Sequence, residues 1–505
     1  MEVLQPTSLW LPFLLFLPLI LLPLFHLIRK YKHLKRPNFP PSPPKLPIIG
    51  NLHQLGNLPH RSLWKLSQKY GPVMLLQFGR VPTLVISSSE TAKEVLKTHD
   101  LEFCSRPPLV GPQRLSYNFL DVAFVPYGEY WREIRKLCVL ELLSVKRVQS
   151  FGFVRAEEVA VMIDSLSRSD SNTPIDLSQK LISLTAQIVC RVAFGKSYQR
   201  TEFDNGKFQE ILYEAMAMLG SFSASDFFPK VGWIIDKITG LHGRLEKSFH
   251  DFDTFYQGVI DQHLDPERLK SNHDDIIDVL LKLEKDQFGA IRLSKDHIKA
   301  ILMNIFLAGV DTSAVTMNWA MTEMIRNPEV MKKVQEEIRS YVGKKGKVEE
   351  ADLDQLQYNK MVVKETLRLH PPGPLLIPRE SMQHSKINGY DIHPKTRVLI
   401  NVWAIGRNPD YWEKPDEFYP ERFIDSSIDF KGQNFEYLPF GGGRRGCPGI
   451  NMGVAMVELA LANLLYHFDW ELPKGMKKED INMDESSGLT VHKKSALHLV
   501  PINYI

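Results

Sequence analysis

Residues 440–449 read FGGGRRGCPG, a run in which five glycines surround one cysteine. Glycine adopts backbone conformations that other residues resist and lets a flat group approach the chain closely. Pro448 comes directly after Cys447 and leads into GINMGVAMVELALANLLYHF (449–468), which is apolar nearly all round. The sequence therefore predicts that Cys447 caps a buried helix, with the proline near the first turn, where a missing N–H costs nothing. A sulfur so placed faces the positive end of the helix, which favours thiolate over thiol. Arg445 offers a planar fork to an acidic group nearby. A lone cysteine in a glycine turn is usually a small buried hydrophobe, so the loop has to be weighed with the rest of the chain.

Outward from this loop the pattern is mostly helical. SKDHIKAILMNIFLAGVDTSAVTMNWAMTEMIRNPEV (294–330) opens on a capping Ser294 and runs to Asn327-Pro328, which predicts a central helix of about thirty residues. Pro328 starts the next helix and Gly343 ends it. Strand-like alternation is confined to GPVMLLQFG (71–79), TLVISS (83–88) and RVLINVW (397–403). The predicted fold class is mainly α with small β-sheets. The charged stretches 264–275 and 342–354 read as solvated surface loops.

Within the central helix, Asp311 and Thr312 in AGVDTS (308–313) suit a short proton relay. The alternative is that Thr312 bonds back to the Ala308 carbonyl and Asp311 faces water. Trp131 and Arg135, four apart in YGEYWREIRK, put an indole N–H and a guanidinium on one helix face, suited either to an acidic ligand or to an ordinary amphipathic helix. Glu365 and Arg368 lie three apart, as do Glu336 and Arg339, and such spacing alone contributes only a few tenths of a kcal/mol.

Composition narrows the classes. None of the four cysteines (Cys104, Cys138, Cys190, Cys447) forms a CxxC pair, so neither a disulfide framework nor a structural zinc site is indicated. The net charge is +3, of which +4 lies in the first forty residues, so the body does not read as a polyanion binder. Residues 8–28, SLWLPFLLFLPLILLPLFHLI, are long enough to cross a bilayer. They end directly in RKYKHLKR, which favours a retained signal anchor over a cleaved signal peptide and keeps the remainder of the chain in the cytoplasm. The expected layout is a lumenal terminus (1–7), the anchor (8–28), a basic and proline-rich neck acting as a stiff spacer or a plain linker (29–47), and one catalytic domain (48–505).

Five fixed residues in the pattern Phe-x-x-Gly-x-Arg-x-Cys-x-Gly arise by chance in such a chain on the order of once in ten thousand. This loop, with AGVDTS, KETLRLHPP (364–372), PERF (420–423) and the Trp-Arg helix, resembles the signature set of the microsomal cytochromes P450, and most of all the plant A-type group of specialised metabolism. The resemblance implies haem b, iron protoporphyrin IX, with Cys447 as the axial iron ligand pushing electron density toward O–O cleavage. It implies that Phe440, Gly441 and Gly449 flank the haem, and that Trp131, Arg135, Arg379 and Arg445 hold its propionates, with His370 a further donor. Asp311 and Thr312 become the oxygen-activating pair, and Glu365, Arg368 and Arg422 a structural cluster. Arg132, Lys136 and Arg444 offer a basic face to an electron donor.

The implied partners are NADPH–cytochrome P450 reductase, through which NADPH supplies electrons, and cytochrome b5, at the endoplasmic reticulum membrane. The implied reaction puts one oxygen atom into a small hydrophobic terpenoid, phenylpropanoid, alkaloid or oxime. The family's cavity segments fall at 106–122, 221–229, 304–313, 373–378 and 487–491. Two alternatives stay open: a haem-thiolate isomerase or dehydratase needing neither oxygen nor reductase, and a haem-binding membrane protein without turnover.

Overall fold

The computed structural model describes residues 37–169, 173–196, 205–268, 273–286 and 291–504. The expected lumenal terminus, the anchor and the basic start of the neck lie outside the described residues. Residues 37–47 lie against the body: Leu75 N–H donates to the Pro41 carbonyl at 3.0 Å and Asn38 N–H to Asp391 at 2.8 Å. Asn51 Nδ2 reaches the Pro43 and Pro44 carbonyls, so backbone acceptors that prolines leave free are used to dock the segment.

The central helix spans Lys295–Arg326, 32 residues, and at 1.5 Å per residue is roughly 48 Å long. Ser294 caps it, with His297 reaching back to the Ser294 N–H at 3.2 Å in a capping box. It stops at Asn327 because a residue before proline is pushed out of helical geometry. Pro328–Val342 comes next, closed by Gly343 at φ +57°. The helix Leu177–Phe194 makes the most extensive contact with the central helix, and Ile450–His467 and Gln357–Leu369 pack on it from other sides. Lys295–Arg326 and Ile450–His467 are apolar and long enough to span a bilayer, yet both are mostly buried within the protein.

The three predicted strand segments join one sheet. Val73–Phe78 pairs antiparallel with Val81–Ile86, which pairs parallel with Arg397–Ile400, which pairs antiparallel with Arg379–Glu380. A second sheet joins Ile175–Asp176, His498–Asn503 and Phe468–Glu471, and a hairpin joins Ser385–Ile387 to Tyr390–Ile392.

The two stretches expected to be solvated loops are partly ordered into the body. In the first, Asp275 is buried, meets His263 at 2.9 Å, and shares Arg268 with Asp278. In the second, Val348 is buried and exchanges hydrogen bonds with Asn463, while Glu350 pairs with the buried Arg155 at 2.5 Å. Glu336 and Arg339 do not act as a pair either: Glu336 lies 3.9 Å from Lys332, and Arg339 turns to Asp469 and the Phe468 carbonyl.

Glu365, Arg368 and Arg422 meet in the core. Arg368 holds both carboxylate oxygens of Glu365 at 2.8 Å, and Arg422 Nε reaches the same carboxylate at 2.9 Å. The remaining donors of Arg368 go to the Gly406, Pro415 and Glu417 carbonyls, so the fork is saturated although the Glu365 and Arg368 side chains are wholly buried. Removing one member leaves a buried charge without its partner. Arg368→Ala should cost about 3–5 kcal/mol, read as a lower thermal unfolding midpoint, whereas Glu336→Gln at the surface should leave the midpoint within experimental scatter.

Candidate active site

The loop expected to carry the chemistry closes on itself before the helix begins. Cys447 N–H donates to the Phe440 carbonyl at 3.0 Å, and Gly446 N–H to the Gly443 carbonyl at 3.0 Å. Gly443 has φ +65°, and a Cβ there would lie 2.3 Å from the Leu96 carbonyl oxygen, so only glycine fits. The helix starts at Ile450 with Gly449 as its cap, which corrects the expected cap at Cys447 and sets the cysteine and Pro448 outside the helix.

Cys447 lines a cavity of about 350 Å³. Burial against the chain raises its thiol above the ordinary value, and the Gly449 backbone donor and the Arg135 charge pull it down without overcoming this.

Four guanidinium groups, from Arg106, Arg135, Arg379 and Arg445, line the cavity, and no Asp, Glu or Lys is among its lining residues. Their donors are spread over backbone. Arg445 bonds the Cys104 carbonyl at 2.8 Å and the Val125 carbonyl at 2.6 Å, and Arg135 bonds the Gly446 carbonyl at 2.6 Å. Arg379 takes Asp100 at 2.9 Å and the Gly442 carbonyl at 2.7 Å. Arg106, absent from the expected set, bonds the Ala123, Ile377 and Pro378 carbonyls. Burial pushes Arg445 down to about 9, and the charges of Arg379 and Arg135 press in the same direction. Such a group of buried cations calls for an anion.

Trp131 stands one layer behind. Its N–H goes to the Val122 carbonyl at 3.2 Å and its ring carries the Arg445 guanidinium at 4.2 Å, so it seats the arginine rather than facing the cavity. His370 is corrected more fully. It stacks on Trp319 at 4.1 Å, bonds Glu323 at 2.7 Å, and is not among the cavity residues. Arg444 is half exposed and pairs with Asp100, while Arg132 and Lys136 are exposed on the helix Glu129–Leu137.

Opposite the cysteine loop the central helix presents Ala308, Gly309, Thr312 and Ser313 to the cavity. Thr312 Oγ1 donates to the Ala308 carbonyl at 2.7 Å, which is the back-bonded alternative, and its lone pairs remain open to the cavity. Asp311 does not line the cavity. It is buried, and its carboxylate bonds Thr490 and His492 of the C-terminal loop. Of the five expected wall segments, four contribute lining residues. None does so from 221–229, where Ser223 and Ser225 are spent on Asp236 and where Asp226 accepts from the Val110 N–H. Met216 and Leu219, just upstream, supply that wall instead.

The family model for cytochrome P450 matches residues 40–500. The chain is a cytochrome P450. Cytochrome P450 71B36 of Arabidopsis thaliana is 56% identical over 495 residues, covering 97% of this chain and 98% of the relative. Cytochrome P450 71B37 of the same plant is 55% identical over 501 residues, 99% of each. Among solved structures, a zebrafish cytochrome P450 with abiraterone superposes at TM-score 0.75 and 25% identity, over 89% of this chain and 99% of that one.

The chain thus belongs to the cytochrome P450 monooxygenases, alongside plant relatives of the 71B group. The family's cofactor is haem, and the residues present fit it. Cys447 would offer a sulfur to iron, the glycines leave a flat space, and Arg106, Arg135 and Arg445, held only by carbonyls, would match the propionates. Cys447→Ser should leave a folded protein whose carbon monoxide complex, after reduction, lacks the thiolate-type absorption band. Gly443→Val should fail to hold haem at all, read as the absorbance ratio of haem to protein.

Proposed function

We propose that this cytochrome P450 inserts one oxygen atom from O2 into a small hydrophobic plant metabolite, taking electrons from NADPH through NADPH–cytochrome P450 reductase, with cytochrome b5 an accessory donor. The observation that carries this reading is the cavity itself. Its upper walls, from Phe124, Val189, Met216, Leu219, Ile301 and Leu489, are apolar, and its charged groups gather at the arginine ring beside Cys447. An apolar chamber over a cationic seat suits a substrate without charge held above a haem whose propionates are neutralised.

Haem bound at Cys447 supplies the oxygen chemistry. The chain's own contribution is to position and to deliver protons. Cys447 and the arginines fix the cofactor, and Gly309 keeps the groove open: a Cβ there would lie 3.0 Å from Val189. Apolar walls exclude bulk water, and Thr312 offers an acceptor to the reacting side. Asp311, one residue away, is the proton donor of the pair. The exposed Arg132, Lys136 and Arg444 form the face for the reductase. Residues 8–28 anchor the chain in the endoplasmic reticulum membrane with the catalytic domain in the cytosol.

A spectral screen over terpenoids, phenolics and nitrogenous metabolites, scoring displacement of water from the ferric iron, identifies the substrate class. Turnover should then require both NADPH and reductase. Product without reductase would replace this reading by an isomerase or dehydratase. Thr312→Ala should keep NADPH consumption while product per NADPH falls about tenfold or more, the missing electrons appearing as peroxide.

A further inference from the structure

The proton donor Asp311 needs a source, and its surroundings point to the C-terminal loop. Thr490 Oγ1 donates to one carboxylate oxygen, and His492 Nε2 lies 2.9 Å from the other. The Asp311 side chain is 4% exposed and the His492 side chain 27% exposed, while Thr490 lines the cavity. The three side chains therefore connect the partly exposed imidazole with the cavity around a buried carboxylate. Thr490 and His492 also lie within 3.3 Å of each other, so all three are in mutual hydrogen-bond reach.

The loop that carries them is pinned on several sides. Val491 N–H donates to the Pro372 carbonyl at 2.9 Å, and Trp319 of the central helix donates to the Val491 carbonyl at 3.3 Å. Ser486 N–H holds the His492 carbonyl at 2.9 Å. At the base of the loop, Glu485 is fixed by His60 at 2.9 Å and Arg61 at 2.7 Å. Burial raises the Glu485 carboxyl, but these two partners outweigh it and bring it down to about 2, so the clamp persists across the neutral range. His492 is thus held against Asp311 by the fold and not by their mutual attraction alone.

We propose that His492 is the proton-uptake group of this enzyme, loading Asp311 from solvent, with Thr490 as the exit from Asp311 to the cavity. This rests on the reading of Asp311 as the proton donor. The transfer is of protons only. Imidazolium releases the Nε2 proton to Asp311 Oδ1, leaving neutral imidazole and a neutral carboxyl; the ring, which keeps its Nδ1 proton, turns Nε2 to solvent, takes up the next proton there and turns back. A neutral carboxyl no longer needs the Thr490 proton, so once it rotates its own O–H toward Thr490, that hydroxyl can donate into the cavity while it accepts from Asp311. The protons replaced are those that oxygen reduction by NADPH consumes.

Burial lowers the His492 imidazole, but the hydrogen bond and charge of Asp311 more than reverse this and hold it above its ordinary value. The groups that face the pair are Asp311 and Thr490 themselves and, from the helix Asn205–Leu219, the Tyr213 phenol, which burial and the Asp311 charge keep protonated. Imidazolium is therefore present below the raised value and lost as pH climbs through it. Proton delivery should fall with rising pH over that interval.

The test uses the full haem-loaded chain in lipid nanodiscs with its reductase and an ethoxycoumarin probe. Isotope-labelled histidine locates His492 in NMR spectra as the resonance lost in His492→Gln. It should titrate above the ordinary histidine range, and move back toward that range in Asp311→Asn. In steady state, His492→Gln and Thr490→Val should each lower NADPH-driven oxygen reduction about tenfold, less than the loss from removing a direct general acid. Each should raise the solvent deuterium isotope effect, and His492→Gln should flatten the pH profile. A thiolate-type carbon monoxide spectrum in each variant certifies its fold, and if one variant fails this check the other decides. An ordinary titration of His492, or unchanged rate, isotope effect and pH profile in the certified variant, overturns the proposal. If Asp311→Asn slows the reaction while His492→Gln does not, this inference alone falls. If Asp311→Asn also has no effect, the reading of Asp311 falls with it.

Discussion

Four guanidinium groups, three of them buried and Arg135 half-buried, share one cavity with no carboxylate on its wall among the described residues, and this imbalance organises the site. Removing a charge from water costs several kcal/mol even after relaxation, so buried cations normally come with paired anions. Asp100 pairs with Arg379, but for Arg106, Arg135 and Arg445 backbone carbonyls take the place of anions, holding each guanidinium in a fixed direction without neutralising it. Trp131 adds the face of its ring beneath Arg445. The seat is thus preorganised for a doubly negative ligand, whose arrival relieves a cost already present in the folded chain. Haem would meet that requirement with its propionates, and Cys447 is the residue that would hold its iron.

The frame that keeps this seat open is also electrostatic, but of the opposite kind. Around Glu365 the carboxylate holds Arg368, Arg422 and the Tyr419 N–H, and five backbone carbonyls take the rest of the two forks. Nothing there is available to a ligand. The contrast separates two uses of buried arginine in one protein. A saturated network fixes the fold between Gln357–Leu369 and the segment carrying PERF, and an unbalanced one waits for a cofactor.

Local signals were legible in the chain where the physics is local. The cap at Ser294, the stop before Pro328, the turn at Gly343 and three of the four strands of the main sheet depend on neighbours in sequence, and each lies where the residues indicate. The cysteine loop was legible because its glycine spacing is rare. Features that depend on residues far apart could not be read. Nothing near His492 announces that it meets Asp311, 181 positions away along the chain. His370 was expected as a further donor from the family resemblance alone, but Trp319 and Glu323 claim it first. Polar residues at 221–229 were assigned to the cavity wall by position, whereas Asp236 satisfies its two serines locally. Cys447 shows the limit of a rule applied a few residues out of place: the helix starts three positions later, with Gly449 and not the cysteine as its cap.

The C-terminal loop joins two demands that are usually met by separate parts of a protein. Leu489 and Thr490 form part of the wall, while His492, two residues on, reaches the carboxylate behind it. In an extended segment, side chains at alternate positions share a face, so Thr490 and His492 can both address Asp311 from one side. A wall that moved with substrate would carry the carboxylate's partners with it, and the anchors at Glu485, Val491 and Trp319 oppose such movement. Rigidity here serves proton transfer, which tolerates little change in donor distance. Shape selection in this cavity therefore falls to side chains less tightly held, chiefly Met216 and Leu219 on the helix facing the loop, where a flexible thioether can fill or vacate space at small cost.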